Sequence, residues 1–70
     1  MERFGEKVRF LRKQRGLTTR QFGSMLGVYH THVSQIERGL SHPSAKIILK
    51  IADIFGVSID LLMRDELELE

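Results

Sequence analysis

The sequence predicts an all-α fold of five short helices, and three observations carry that prediction. Apolar residues recur at three- and four-residue spacings, no stretch alternates with period two for long enough to make a strand, and glycines and hydroxyl residues stand where helices begin and end. In the first helix Phe4, Val8 and Leu11 share one face, and Gly16 ends it. Thr18 caps a second helix, with Phe22, Met25 and Leu26 on its apolar side and Gly27 as its stop. The third lies within VYHTHVSQIERG, residues 28–39, where Val28, Val33 and Ile36 form the buried stripe. SHPS (41–44) reads as a loop, because Pro43 disfavours helix at the residue before it, and Ser44 caps the fourth helix. Residues 45–55 place Ile47, Ile48, Ile51 and Phe55 on a broad apolar face that Gly56 closes. Ser58 caps a last short helix, IDLLM, and a charge-rich tail completes the chain. This assigns residues 1–63 to one domain and 64–70 to an acidic tail. Phe10 lies off the apolar face of its helix, and Leu67 and Leu69 alternate with glutamates. A frayed tail and a half-covered Phe10 are expected, the alternative being a dimer contact.

Seventy residues make one small domain, which buries about 60% of its unfolded surface. The 41% apolar and 29% charged residues suit a globular chain. With no cysteine, neither a disulfide nor a thiolate metal site staples the fold, so stability rests on packing. The apolar runs are too short to span a membrane. MERFGEKVRF lacks the apolar core of a signal peptide, so the expected location is the cytoplasm. Charge is unevenly spread: residues 1–20 hold seven Lys and Arg against two acids, and residues 51–70 hold one Arg against six acids. A basic front and an acidic rear point to a polyanion on one side.

Two classes of chemistry are excluded. His30, His32 and His42 invite a metal site, but His30 and His32 are two apart and so face different ways on a helix. No cysteine, and no nearby carboxylate beyond Glu37, completes a ligand set, so neither metal nor other cofactor is expected. The chain has no phosphate-cradling glycine loop and no nucleophile–base pair, and it is too short to enclose a pocket, so it is not expected to be an enzyme.

From Thr19 to Arg38 the spacing has a further meaning. Gly23 stands at the fifth position, Gly27 at the ninth, and Val33 and Ile36 at the fifteenth and eighteenth. A small fifth residue lets two helices cross closely, a ninth glycine permits a left-handed turn, and the aliphatics lock the second helix on the first. This unit resembles the helix-turn-helix of the Cro and phage-repressor (Xre-like) family. RFLRKQRGLT, FGSMLGV, VSQIERG, HPS, ILKIADIFGVS and IDLLM each resemble a family segment in the right order, over about residues 4 to 63. The resemblance implies a five-helix lambda-repressor-like DNA-binding domain whose third helix reads the major groove.

With Val33 at the centre of the buried face and about 100° per residue, Thr31, Ser34, Gln35 and Arg38 fall on the opposite side, and His30 lies at the N-terminal end. Uncharged hydrogen-bonding side chains suit the donors, acceptors and methyl groups of base edges. By resemblance His30, Thr31 and Gln35 match base-reading positions, and Ser34 is a fourth candidate. Gln35 suits adenine N6 and N7, and His30 suits guanine N7 or O6. His32 lies nearer the helix edge, by a phosphate or a neighbouring side chain. Tyr29 departs from the family, which often has a small N-capping residue there; its hydroxyl is left to bond a phosphate, or its ring to pack. Phosphate contact is further expected from Thr19 and Arg20 at the second helix, and from Arg38, Ser41, His42, Ser44 and Lys46 around the loop. Arg9 and Lys13 read more simply as surface charge. Arg12 and Glu37 match a family salt bridge between the first and third helices, a structural role.

The expected function is sequence-specific binding of double-stranded operator DNA, as a homodimeric transcriptional regulator acting by repression. Phe10, Val57, Ile59, Leu62 and Met63 are the expected dimer surface. A protein-interaction module on the same scaffold, an antitoxin or adaptor, is the alternative. It calls for aromatic and aliphatic anchors on the third helix, which Thr31, Ser34, Gln35 and Arg38 do not supply.

Overall fold

Thr18 starts the second helix with a reciprocal pair of hydrogen bonds. Its Oγ1 accepts from the Gln21 N–H at 3.0 Å, while Gln21 Oε1 accepts from the Thr18 N–H at 2.8 Å. The computed structural model describes residues 3–69 as α1 (Phe4–Gln14), α2 (Thr19–Leu26), α3 (His30–Glu37), α4 (Ala45–Phe55) and α5 (Ile59–Met63). Among the described residues there is no strand; Met1, Glu2 and Glu70, at the ends of the predicted domain and tail, lie outside them. Ser44 and Ser58 cap α4 and α5, accepting from the N–H of Ile47 at 3.2 Å and of Leu61 at 3.0 Å.

The amphipathic faces close on one core. Phe4, Val8 and Leu11 of α1 meet Phe22 and Leu26 of α2, Val33 and Ile36 of α3, and Ile48, Ile51 and Phe55 of α4. The rings of Phe22 and Phe55 lie 5.3 Å apart. Each such side chain stabilises the fold by about 1.5–3 kcal/mol when fully buried. Helices α2 and α3 pack on each other, α1 packs on α3 and α5, and α4 packs on α2 and α5.

Three expectations are corrected. Met25, assigned to the inner face of α2, is half exposed, because Phe22 and Leu26 one turn apart already fill that face. Leu62, assigned to a dimer surface, is 0% exposed and belongs to the core. Of its neighbours, Val57 and Met63 are partly buried against the core, Ile59 is exposed, and Phe10 is 53% exposed. The tail does not fray. Arg3 donates its backbone N–H to Asp65 Oδ1 at 2.9 Å and its Nη1 to the Asp65 carbonyl at 3.1 Å, and pairs with Glu68 at 3.2 Å. Leu69 packs against the core. The hydrogen bond from Arg3 holds the Glu68 carboxyl below the ordinary carboxylate range.

Lys7 explains why α5 and the tail stay on α1. It is 1% exposed, and its Nζ donates to the carbonyls of Leu61 at 2.6 Å and Arg64 at 2.7 Å. These are acceptors that the C-terminal end of α5 leaves without helical partners, and a cation there opposes the helix dipole.

Candidate nucleic-acid interface

The α2–α3 pair depends on two glycines. A Cβ on Gly23 would lie 2.7 Å from the Val28 carbonyl oxygen, so only glycine lets the turn approach α2 this closely. Gly27 has φ +79°, the left-handed conformation that reverses the chain. Val33 and Ile36 then face inward and are buried. Thr31, Gln35 and Arg38 are exposed on the other side, with His30, His32 and Ser34 half-buried beside them. None of these six side chains makes a hydrogen bond or ion pair among the described residues.

The inner end of α3 is held firmly. Arg12 Nε and Nη2 donate to the two Glu37 carboxylate oxygens at 2.6 and 3.1 Å, and Nη1 donates to the Leu17 carbonyl at 2.8 Å. Both side chains are largely buried, so this bidentate pair fixes α3 against α1. Gly5 allows that approach: a Cβ there would fall 2.5 Å from the Ile36 carbonyl oxygen.

The expected phosphate ligands lie on α2, at both ends of α3, in the following loop and at the start of α4. Thr19 is half-buried as the first residue of α2, and Arg20 is exposed. An open groove between α2 and the start of α3 is lined by Arg20, Ser24, Tyr29 and His30. Tyr29 is 85% exposed and forms no side-chain cap on α3, although its backbone is extended as an N-cap requires. In the loop after α3 and in α4, Ser41 is half-buried, and His42, Ser44 and Lys46 are exposed. Ser44 Oγ accepts from the Ile47 N–H, which leaves its own hydrogen to donate.

The basic front of the sequence splits into two populations. Lys7 and Arg12 are consumed by their carbonyl and carboxylate partners, and Arg15 donates to the carbonyls of Ile54 at 3.2 Å and Phe55 at 3.1 Å while lying 5.4 Å from the Phe55 ring centroid. Arg9, Lys13 and Arg20 have no partner among the described residues. The reading from sequence missed Lys7, although it sits on the same helical stripe as Phe4, Val8 and Leu11. It also missed Ser24, which no periodic signal marks. Among the described residues no group of three His, Cys, Asp or Glu is placed to hold a metal ion, and no helix is long and apolar enough to cross a membrane.

Two helices crossed through a glycine turn, the second presenting an outer face of unpartnered polar side chains, define a helix-turn-helix domain. A helix-turn-helix family model matches residues 8–62. The chain is 38% identical over 65 residues to an uncharacterised HTH-type transcriptional regulator of Bacillus subtilis, YazB, covering 93% of this chain and 94% of that protein. It is 30% identical to the SPbeta prophage-derived regulator YonR of the same organism, covering 87% of this chain and 56% of YonR. The fold superposes on the P22 c2 repressor in complex with a synthetic operator with a TM-score of 0.82, at 30% identity over 87% of this chain and 92% of that one. It superposes on the N-terminal DNA-binding domain of SinR from Bacillus subtilis with a TM-score of 0.83, at 26% identity over 97% of this chain and all of that one. The chain belongs to the Cro and phage-repressor family of helix-turn-helix transcriptional regulators.

Proposed function

We propose that this chain binds operator DNA sequence-specifically and represses transcription in the cytoplasm as a homodimer on an inverted repeat. One observation carries the reading: the outer face of α3 offers uncharged hydrogen-bonding side chains that bond nothing within the described residues. In a major groove they meet base edges that are equally unsatisfied. His30, Thr31, Ser34 and Gln35 read bases. Thr19, Arg20, Tyr29, His32, Arg38, Ser41, His42, Ser44 and Lys46 hold phosphates and set the register. Arg12 and Glu37 keep α3 at a fixed angle without touching DNA. Phe10, Val57, Ile59 and Met63 supply the apolar contact between protomers.

The test is selection of bound sequences from a random duplex library at about 150 mM salt, near physiological ionic strength. An inverted repeat with half-site centres about ten base pairs apart is the expected product. Weak, salt-sensitive binding without enrichment would overturn the operator reading and turn attention to a protein partner. On the selected site, Gln35→Ala should lose about 1–3 kcal/mol of discrimination at one base position, whereas Thr19→Ala should weaken all sequences alike.

A further inference from the structure

All three histidines of the chain fall between residues 30 and 42. His30 and His32 stand half-buried on α3, and His42 is exposed in the loop leading to α4. None of their side chains is held by a hydrogen bond or ion pair among the described residues. Charged groups lie on each of the neighbouring elements. Helix α2 contributes Arg20, which shares the groove with His30. Helix α1 contributes Arg12, with Arg9 and Lys13 exposed on its surface. The end of α3 contributes Glu37 and Arg38, and α4 contributes Lys46, Lys50 and Asp53. Glu37 is neutralised by its bidentate pairing with Arg12. Asp53 lies on α4 about two turns beyond Lys46. The stretch from residue 7 to residue 52 holds one acidic side chain, the paired Glu37, and every histidine the protein has, and exposed Asp53 follows it on α4.

Imidazole gains its charge near pH 6.5, within the range a cell traverses. A phosphate beside it favours the charged form. From this arrangement we infer that DNA binding is coupled to proton uptake at His30, His32 and His42, so that mild acidification tightens the grip on DNA. The inference rests on the proposed DNA-binding function and adds its regulation. Linkage makes the effect reciprocal: bound DNA draws protons onto the histidines, and protons draw the protein onto DNA. By linkage, any group that takes up a proton more readily in the complex than in the free protein tightens binding as the pH falls, by about tenfold per pKa unit. Each added charge also steepens the dependence of log affinity on log salt by about 0.9.

The experiment measures Kd for a mixed-sequence duplex of about 30 base pairs at fixed ionic strength, near 50 mM salt, where phosphate contact dominates. The pH is stepped from about 8 to about 5.5 across the imidazole range, with circular dichroism confirming the fold at each step. Kd should fall by at least about tenfold, with a steeper salt dependence at the acid end. The triple variant His30→Gln, His32→Gln, His42→Gln should flatten the profile, whatever its affinity at the alkaline end. If that variant does not fold, His42→Gln alone, in an exposed loop, should remove its share of the slope. Wild-type binding with one Kd at every pH overturns the coupling and leaves the DNA reading intact. A slope that survives the substitutions puts the protons on other groups and overturns the assignment. A folded protein that binds no duplex at any pH takes the DNA reading down as well.

Discussion

The α1–α5 side of the molecule and the outer face of α3 are both rich in polar side chains, and they use them in opposite ways. On the first, Arg3, Lys7, Arg12 and Arg15 end on carbonyls or carboxylates of the same chain, at 2.6–3.1 Å in their shortest side-chain contacts. On the second, His30, Thr31, Ser34, Gln35 and Arg38 end on nothing within the described residues. One set holds the fold, and the other remains available to a partner. A count of positive charge along the sequence does not separate them. Asking where each donor finds its acceptor does.

The comparison breaks most readily at Arg12 and Glu37. Removing one member of a buried ion pair leaves the other uncompensated, so Glu37→Ala should cost about 3–5 kcal/mol, a large share of the about 5–15 kcal/mol that holds small domains together. Thermal denaturation followed by circular dichroism would register it, and an unchanged midpoint would contradict a structural role for the pair. Tyr29→Ser sharpens the contrast in the other direction. It restores a side-chain cap to α3 and should add about 0.5–2 kcal/mol of stability, while weakening DNA binding if the exposed tyrosine serves the interface. Gain in both properties would remove Tyr29 from the site. Gln35→Ala should move stability by no more than about 0.5 kcal/mol, as surface substitutions do; a larger loss would mean that Gln35 belongs to the supporting side. The smallest effect concerns the tail. The folded Glu68 carboxyl is depressed, first through its hydrogen bond from Arg3, and Glu66 is depressed through its own backbone amide and then Arg64. A depressed folded value makes the contribution complete above the unfolded carboxylate range, and acid removes it as the pH falls through the folded value. The protection factor of the Arg3 amide, whose N–H bonds Asp65, should therefore fall below about pH 4. Constant protection there would show the tail contact to be independent of these carboxylates.

The helices were legible because their signals are local. Thr18, Ser44 and Ser58 cap from three residues away, and Gly27 and Gly56 adopt the left-handed conformation where the apolar stripes stop. The inward side of α3 was readable from Val33 and Ile36 in the same way. Long-range pairings left no such trace. Lys7 meets Leu61 across 54 positions, and Arg15 meets Phe55 across 40, so neither contact exists until the helices have packed. The five-residue α5 has too few turns for periodicity to distinguish buried Leu62 from exposed Ile59. Met25 was misplaced because an eight-residue helix with Phe22 and Leu26 inside has no room for a third large side chain.

The ammonium group of Lys7 has a consequence for how this protein can be watched in solution. Amine-reactive reagents reach Lys13 and Lys46 on the native surface, but they reach Lys7 only when α5 lifts away and releases its two carbonyls. The labelling rate at that single position is a clock for the opening of the α1–α5 clasp. Reading it beside the surface lysines times the separation of one helix while the rest of the chain serves as its internal standard.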